Sequence, residues 1–240
     1  MNLNSKLLIT WGMLLWSFYS NSQSIDNYKI IYEKRVNLAK LFPNWRIYNK
    51  EDKFHKESFI LQTNSINSFY ERQEKDITEE RSYLSSFMTY SNTFIDIKNK
   101  FQTSQKEVGE KTFLMKDSLP NIEWRIYDET RNIAGYTCHK AMARYADSIV
   151  IVAFFTEQLG ASIGPESING LPGTILGLVI PKLETTWLAT SVESLEQHPV
   201  KSFTPPTKGE IVNVSKLRDL VKKVYKDYMN AYSIIYRVIL

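Results

Sequence analysis

The alternation of apolar and polar positions is the main structural signal along this chain. Tyr28, Ile30 and Tyr32 recur at every second position, which is the period of a strand with one buried face. Further strand-like runs follow at short intervals, at residues 58–64, 65–71, 93–105, 111–117, 123–130 and 139–156. Because brief polar turns join these runs, the pattern predicts a mostly β protein with a curved antiparallel sheet resembling a half-barrel.

The segment at residues 164–178, GPESINGLPGTILGL, is the most distinctive stretch of the sequence. Pro172 has a restricted φ angle and Gly173 tolerates a positive one, which together favour a type II turn. The aliphatic run after the turn predicts a buried strand. The charged stretch at residues 72–81 is interpreted instead as a solvated loop or a short surface helix.

The C-terminal part of the chain changes to helical spacing. Apolar residues recur every three or four positions from Leu217 to Ile235, which predicts an amphipathic helix, with Ser215 as its N-cap. Several lysines lie on the other face, so the helix either packs on the sheet or presents a basic face to a membrane surface or a partner. Lys222, Lys223 and nearby charges exclude a bilayer span.

The first 22 residues are typical of a secretory signal peptide. Lys6 precedes an apolar run at residues 7–19, and small residues at 20 and 22 fit a cleavage before Gln23. We therefore expect a periplasmic protein in which residues 23–240 form a single domain. No cysteine lies near the cut, so the sequence offers no attachment point for a lipid.

Net charge and cysteine content bear on the class of partner and on disulfide formation. Without residues 1–22, which contain one lysine and no acid, the net charge falls from +4 to +3. This small surplus is spread along the chain and does not indicate a nucleic-acid partner. The single cysteine, Cys138, allows no intramolecular disulfide.

The middle of the chain resembles the GLPGLI family, a group of exported proteins from Bacteroidota of uncharacterised function. The resemblance covers roughly residues 123–178. It rests on motifs that occur in order, namely Trp124, Gly135-Tyr136, Cys138, Lys140-Ala141, Gly164-Pro165 and Gly170-Leu171-Pro172-Gly173. The chain departs from the family pattern at Phe154, Glu157, Gly160 and Thr174.

This resemblance implies a small β-rich envelope protein, often encoded beside outer-membrane receptors, without an established reaction or cofactor. It therefore favours a non-catalytic interaction or scaffold role associated with outer-membrane transport. The partner would be an outer-membrane receptor or another envelope protein. The candidate contact residues come from these motifs; they are Trp124, Tyr136, Gly164, Pro165, Gly170, Leu171, Pro172 and Gly173.

A second hypothesis is that the protein carries a hydrophobic ligand or lipid. A curved sheet with a helix across it leaves an apolar space, and the chain has 14 Tyr, 12 Phe and 5 Trp to line it. The half-barrel of periplasmic lipoprotein carriers is an analogy at the level of the fold only.

Two chemical sites are weaker alternatives, and the sequence predicts neither a catalytic residue nor a cofactor or metal. Residues 160–164 match G-x-S-x-G with Ser162 as nucleophile, but a nucleophile elbow requires a helix directly after it, and Pro165 with the following turn leaves no room for one. Cys138 and His139 are adjacent on a predicted strand and point to opposite faces, so they do not share a metal ion. The further metal candidates, His55 and His198, have no neighbour at the spacing of metal ligands. A triad with Ser162 would use His198 and either Glu184 or Glu193, but it needs the same missing helix.

Overall fold

A computed structural model of the chain describes residues 27–41, 43, 53–64, 66–73, 91–108, 110–146, 149–195, 203–227 and 231–240. Three predictions lie outside these residues: the signal peptide with its cleavage site, the stretch 74–81 and the position of His198. The statements that follow concern the described residues.

Twelve strands, three α-helices and a short 3-10 helix at Pro181–Leu183 make up the described secondary structure. The strands are β1 (Tyr28–Asn37), β2 (Phe54–Thr63), β3 (Asn67–Arg72), β4 (Ser91–Asp96), β5 (Phe101–Val108), β6 (Lys111–Ser118), β7 (Arg125–Ile133), β8 (Tyr136–Tyr145), β9 (Ile149–Thr156), β10 (Thr174–Ile180), β11 (Thr185–Ser194) and β12 (Glu210–Val212). The helices are α1 (Leu38–Leu41), α2 (Val214–Tyr225) and α3 (Ala231–Ile239).

All the strands belong to one open sheet, in the order β12-β6-β5-β4-β3-β2-β1-β11-β10-β9-β8-β7. Every pairing is antiparallel except that between β12 and β6. The predicted mostly β, antiparallel fold is therefore confirmed. The alternation of Tyr28, Ile30 and Tyr32 is the inward face of β1, where all three side chains are fully buried.

The sheet is strongly curved. Strands β1 and β5 are four neighbours apart, which would separate them by roughly 19 Å in a flat sheet because adjacent strands lie about 4.8 Å apart. Nevertheless, the ammonium groups of Lys34 on β1 and Lys106 on β5 both lie within 4.0 Å of the Glu166 carboxylate. The sheet must therefore bend around Glu166, which confirms the predicted half-barrel shape.

Two apolar clusters lie on the concave side. The larger one joins β1, β2, β8, β9, β10 and β11 with the loop between β9 and β10. The smaller one packs Phe113 and Met115 of β6 against Leu217 and Val221 of α2 and Val238 of α3. The helices thus cover one part of the concave face.

The C-terminal region differs from the prediction of one helix. It forms two helices, α2 and α3, which pack against each other and on the sheet. A straight helix over residues 214–239 would be about 39 Å long, because each residue adds 1.5 Å. Such a rod would project beyond the concave face, whereas two shorter helices place the apolar side chains of both segments on it.

The prediction of Ser215 as the helix N-cap is wrong. Helix α2 begins at Val214, two residues earlier than a Ser215 cap implies, and the side-chain oxygen of Asn213 accepts a 2.8 Å hydrogen bond from the backbone N–H of Lys216. Asn213 has the extended backbone of an N-cap residue, whereas Ser215 lies inside the first turn. A carboxylate oxygen of Asp117 on β6 accepts a second bond, from the N–H of Val214.

Strand β11 was not predicted, although Thr185, Trp187 and Ala189 alternate toward the core. The short β12 was not predicted either. Among the described residues, no helix is long and apolar enough to cross a membrane.

We expect Asn213→Ala to destabilise the protein by about 1 kcal/mol, the usual effect of losing an N-cap side chain. The matched control is Ser215→Ala, which we expect to change the free energy of unfolding by less than about 0.5 kcal/mol because Ser215 is exposed. Urea denaturation of both variants measures the difference. Equal effects would show that Asn213 does not act as the cap.

Candidate functional site

The loop between β9 and β10, residues 157–173, lies on the concave face of the sheet and carries most of the predicted contact residues. Loops usually run over the surface, since buried backbone polar groups need partners. Here, all residues from Ile163 to Ile168 are buried. We call residues 157–173 the glycine-proline loop.

Bonds within the loop and to neighbouring strands satisfy its backbone. Ile175 donates a 2.9 Å hydrogen bond from its N–H to the carbonyl of Ile163, and Ile168 donates to the carbonyl of Pro165. The indole N–H of Trp124 donates a 2.8 Å bond to the carbonyl of Asn169. Trp124, predicted as a contact residue, therefore supports the loop from the start of β7.

The predicted type II turn at Pro172-Gly173 is wrong. The N–H of Gly173 bonds to the carbonyl of Leu171 at 2.8 Å, which closes a three-residue γ-turn around Pro172. Gly173 has φ of 140°, far from the value near +80° that a type II turn requires. A β-carbon on Gly173 would lie 2.1 Å from the carbonyl oxygen of Thr156, so close approach to β9 also excludes a side chain.

The other predicted contact residues divide into buried and exposed positions. Gly164, Pro165 and Leu171 are buried, and a β-carbon on Gly164 would lie 2.7 Å from Cβ of Ile175. Tyr136 is half-buried and packs on the larger apolar cluster. Only Gly170 and Pro172 face solvent, so most of the motif supports the fold.

Thr174, the residue after the GLPG sequence, is held by hydrogen bonds of its side chain. Its side chain is fully buried, and its hydroxyl bonds to the carbonyl of Ala161 at 2.8 Å and to the Tyr28 hydroxyl. The Tyr32 hydroxyl donates a 2.5 Å bond to the carbonyl of Ile175, the next residue. The Thr174 hydroxyl also donates a 3.4 Å bond to the carbonyl of Leu159, and an aliphatic residue at 174 would remove all three of these contacts.

Glu166 is the most unusual residue of the loop, because its carboxylate is buried beneath the sheet. One carboxylate oxygen lies 3.3 Å from Nζ of Lys34. The other lies 3.7 Å from Nζ of Lys106 and accepts a 2.5 Å hydrogen bond from the hydroxyl of Ser91. The loop is thereby joined to β1, β4 and β5; we call Glu166, Lys34, Lys106 and Ser91 the buried charge cluster.

Burial and neighbouring charges shift the pKa values of Glu166 and Lys106. Burial by itself raises the pKa of Glu166, but the charges of Lys34 and Lys106 and the bond from Ser91 lower it below its ordinary value. Burial lowers the pKa of Lys106, and the Glu166 carboxylate opposes that effect. Glu166 is therefore ionised at neutral pH.

Aromatic rings hold the Lys34 side chain in position. Its ammonium lies 5.2 Å from the centroid of the Phe59 ring and 5.0 Å from that of Trp187, within the range of cation–π contacts. The Trp187 indole donates a 3.1 Å bond to the Tyr70 hydroxyl, and the Tyr70 ring stacks on Phe59. These three aromatic residues belong to the larger apolar cluster and lie next to the buried charge cluster.

A second buried carboxylate, that of Glu57, lies on the strand next to Lys34. Glu57 is the cross-strand partner of Lys34, and its oxygens lie 3.5 Å from Nε2 of His55 and 3.6 Å from Nη1 of Arg72. Burial tends to raise the pKa of Glu57, but the adjacent His55 side chain and the positive charges of Lys34 and Arg72 lower it overall.

The backbone of Glu166 is also strained. Its φ of 59° lies in the left-handed region, which costs a residue with a β-carbon about 1–2 kcal/mol. Such a conformation persists only where surrounding contacts determine it, and the contacts with Lys34, Lys106 and Ser91 provide them.

Sequence reasoning missed this cluster, although part of the signal was present. The alternation that identified Tyr28, Ile30 and Tyr32 continues inward to Lys34, so a charged residue in the buried register was visible. Lys106 likewise follows Gln102 and Ser104 at every second position of β5. Glu166 carried no comparable signal, since loop residues have no period.

The hydrolase and metal-site candidates of the sequence lie outside the buried charge cluster. The Ser162 hydroxyl accepts a 3.1 Å bond from the N–H of Gly170, and the residues after it continue as loop and then as β10, without the helix of a nucleophile elbow. Cys138 is buried, with its thiol pKa raised to about 11 by burial, whereas His139 is exposed. Among the described residues, no three His, Cys, Asp or Glu side chains come together as metal ligands.

Comparison with known proteins shows similarity at the level of the fold. No family model matches the chain, and no curated protein matches it significantly. Structures of PNGF-II in the P21 and C2 space groups are similar to it, with TM-scores of 0.55 and 0.51 and identities of 17% and 18%. They cover 81% and 88% of this chain, which spans 33% of the PNGF-II chain in each.

An uncharacterized conserved protein from Thermus thermophilus matches with a TM-score of 0.38 and 7% identity, over 79% of this chain and 91% of that protein. This likeness is too distant to carry an argument. The PNGF-II likeness shows that the curved sheet occurs as about one third of a longer chain.

We expect Gly173→Ala to lower the free energy of unfolding by about 2–4 kcal/mol, because the new methyl group meets the Thr156 carbonyl in a left-handed backbone. Gly135→Ala is the matched control, since Gly135 has φ of 89° but nothing within 4 Å of its would-be β-carbon. It should cost only the backbone strain, about 1–2 kcal/mol. Chemical denaturation compares the two, and equal losses would contradict a role for the close approach.

We expect Glu166→Gln to destabilise the protein by about 3–5 kcal/mol at pH 7, since Lys34 and Lys106 would lose their buried counter-charge. Glu166 has a folded-state pKa below its unfolded value of about 4.3, so its contribution is present above that pH and is lost as pH falls through the folded pKa. Denaturation at pH 7 and pH 3 should therefore show a smaller difference between variant and wild type at pH 3.

The control for this comparison is Glu123→Gln, which removes an exposed carboxylate. We expect it to change stability by less than about 0.5 kcal/mol at either pH. A Glu166→Gln protein as stable as wild type at pH 7 would contradict the importance of the ion pairs.

Proposed function

We propose that this protein is exported to the periplasm, with cleavage near Gln23, and acts there as a non-catalytic interaction or scaffold protein associated with outer-membrane transport. The partner would be an outer-membrane receptor or another envelope protein. The leader-like residues 1–22 and the GLPGLI-type motifs support this proposal.

The observation that carries the proposal is the occupation of the concave face by the chain itself. The glycine-proline loop, which follows β9, lies on this face, and the C-terminal end of α3 packs beside the loop. The Ser167 hydroxyl donates a 2.7 Å bond to the carbonyl of Leu240, and the Tyr145 hydroxyl donates a 3.1 Å bond to that of Ile239. The apolar side chains that a carrier would offer to a lipid contact each other instead.

The surface that remains for a partner lies beside the exposed end of the loop. Strand β7 forms one edge of the sheet, and most of its nine residues are exposed. The indole of Trp124, directly before β7, donates its N–H to the carbonyl of Asn169, so the exposed Gly170 that follows lies near this edge. An edge strand has unpaired backbone groups that accept an extended segment of another protein.

The backbone of Asn132 is suited to test this contact. Ile133 and Tyr136 flank a two-residue turn with positive φ at Ala134 and Gly135, so they are hydrogen-bonded to each other and the N–H of Asn132 points away from β8. Asn132→Pro therefore removes one donor from the free edge and leaves the hairpin bonds in place.

The experiment places a photo-crosslinking residue at Thr130 of β7 in the native host, with Lys98 in the exposed β4–β5 turn as the control position. We expect a discrete crosslinked partner from position 130 and none from position 98. Asn132→Pro should reduce that crosslink severalfold while keeping the melting temperature within a few degrees.

Native mass spectrometry of the purified protein tests the carrier hypothesis in parallel. The proposal predicts protein without bound lipid. Co-purified lipid together with no crosslink from Thr130 would overturn the interaction role in favour of ligand carriage.

A further inference from the structure

Strands β9 and β10 are apolar on both of their faces. Residues 149–155 read IVIVAFF, and residues 175–180 read ILGLVI. An antiparallel strand with one face in water alternates apolar and polar residues, whereas a strand covered on both faces is continuously apolar. The glycine-proline loop lies on the concave side of these strands, so their sequence indicates a second cover on the outer side.

The structure shows which apolar side chains form this outer surface. Val152 lies between the buried residues 151 and 153 and faces away from the core, beside its cross-strand partners Met142 on β8 and Val179 on β10. These three side chains are half-buried. Val150 on β9 is 41% exposed, and Leu188 on β11 is 40% exposed. We call Met142, Val150, Val152, Val179 and Leu188 the outer apolar patch.

The continuity of this patch is what distinguishes it from ordinary surface residues. A single exposed valine needs no explanation, because β-branched residues favour strands on either face. Here the side chains lie on four adjacent strands, which span about 14 Å because neighbouring strands are about 4.8 Å apart. Contiguous apolar surface on adjacent strands is typical of an interaction site.

Arginine residues flank the outer apolar patch on both sides. On one side, Arg125 of β7 is the cross-strand partner of Met142, and Arg144 of β8 is that of Val150. Both arginines are exposed. On the other side, Arg35 lies on β1, the strand next to β11. The surface is therefore apolar at its centre and positive at both margins.

Two acids beside the patch are already paired within the chain. Glu33 pairs with Arg35, and Glu129 pairs with Lys140 at 2.6 Å. The two arginines on the β7–β8 side have no carboxylate partner in the part of the chain that the structure describes. They are therefore available to carboxylates of another molecule.

The shape and charge of the patch discriminate between possible occupants. A second copy of the chain would bring positive margins against positive margins, which is unfavourable. A lipid surface requires side chains that project into it, whereas Met142, Val152 and Val179 are half-buried between their neighbours. A helix is about 10–12 Å wide with its side chains, which suits a patch of about 14 Å, and helices commonly cover sheet faces.

We propose that the outer apolar patch is a docking site for an amphipathic helix of a partner protein, whose apolar stripe is flanked by Asp or Glu residues. The stripe would cover Val150 and Val152, and the acids would face Arg125 and Arg144. This site lies on the face of the sheet, two strands away from the β7 edge. It is a second contact surface and does not depend on pairing at that edge.

The first test places a photo-crosslinking residue at Val150 in the native host, with exposed Lys98 as the control position. Mass spectrometry then identifies the crosslinked segment. We expect apolar residues at helical spacing with acids on both sides of the stripe. A segment without this pattern, a phospholipid adduct, a second copy of the chain, or no crosslink above that from position 98 would each overturn the proposal.

The second test measures binding of a synthetic peptide of that segment to the purified protein by fluorescence anisotropy. We expect the double variant Arg125→Glu with Arg144→Glu to weaken binding about tenfold and to reduce its salt dependence. Lys116→Glu, at an exposed position of β6, is the matched control and should bind like wild type. Equal affinity of the double variant and wild type would contradict the charged margin.

The apolar part of the contact is tested by Val150→Ser, which should weaken peptide binding severalfold. Its control is Ile211→Ser, which changes an exposed apolar residue on β12, at the other edge of the sheet. Both positions are exposed, so we expect melting temperatures within a few degrees of wild type. Equal binding by the two variants would overturn the proposal, and if Val150→Ser does not fold, the arginine variant decides. Loss of the crosslink from Thr130 alone would count against the β7 edge and not against this site.

Discussion

The contact of one carboxylate with two buried ammonium groups is the constraint on which the rest of the structure depends. Glu166 pairs with Lys34 and Lys106 from strands four places apart, so it stabilises the sheet only in its curved form. Buried ion pairs often add little net stability, because desolvation offsets their attraction, but leaving one charge unpaired is costly. Their effect here is specificity: an alternative packing of the loop would leave two cations buried without their partner.

The shape of the glycine-proline loop follows from this constraint. Gly164 and Gly173 approach Ile175 and Thr156 too closely for any β-carbon, and the γ-turn at Pro172 directs the chain into β10. Trp124, directly before β7, supports the same loop through its bond to the Asn169 carbonyl. The residues that give the segment its recognisable sequence therefore act mainly on backbone geometry, and they deliver a charged side chain to the interior in a strained conformation.

Function is then a matter of which surfaces remain free. The loop and α3 occupy the concave face, which in a carrier would be open to its ligand. The β7 edge and the exposed end of the loop lie near each other, and the interaction role that we propose starts from this arrangement. The PNGF-II structures show that such a sheet also occurs within a longer chain, which is a similarity of fold alone.

Local pattern was sufficient for much of the fold and for little of the site. Period-two alternation predicted β1 and most of the antiparallel strands, because each strand buries one face regardless of its neighbours. The sequence also predicted a C-terminal amphipathic helix and a glycine-dependent turn. It did not predict the break between α2 and α3, the Asn213 cap or the γ-turn, since these depend on how the chain packs on the curved sheet. The meeting of Lys34, Ser91, Lys106 and Glu166 was decided only by the tertiary structure, because positions up to 132 residues apart become neighbours when the sheet closes around the loop.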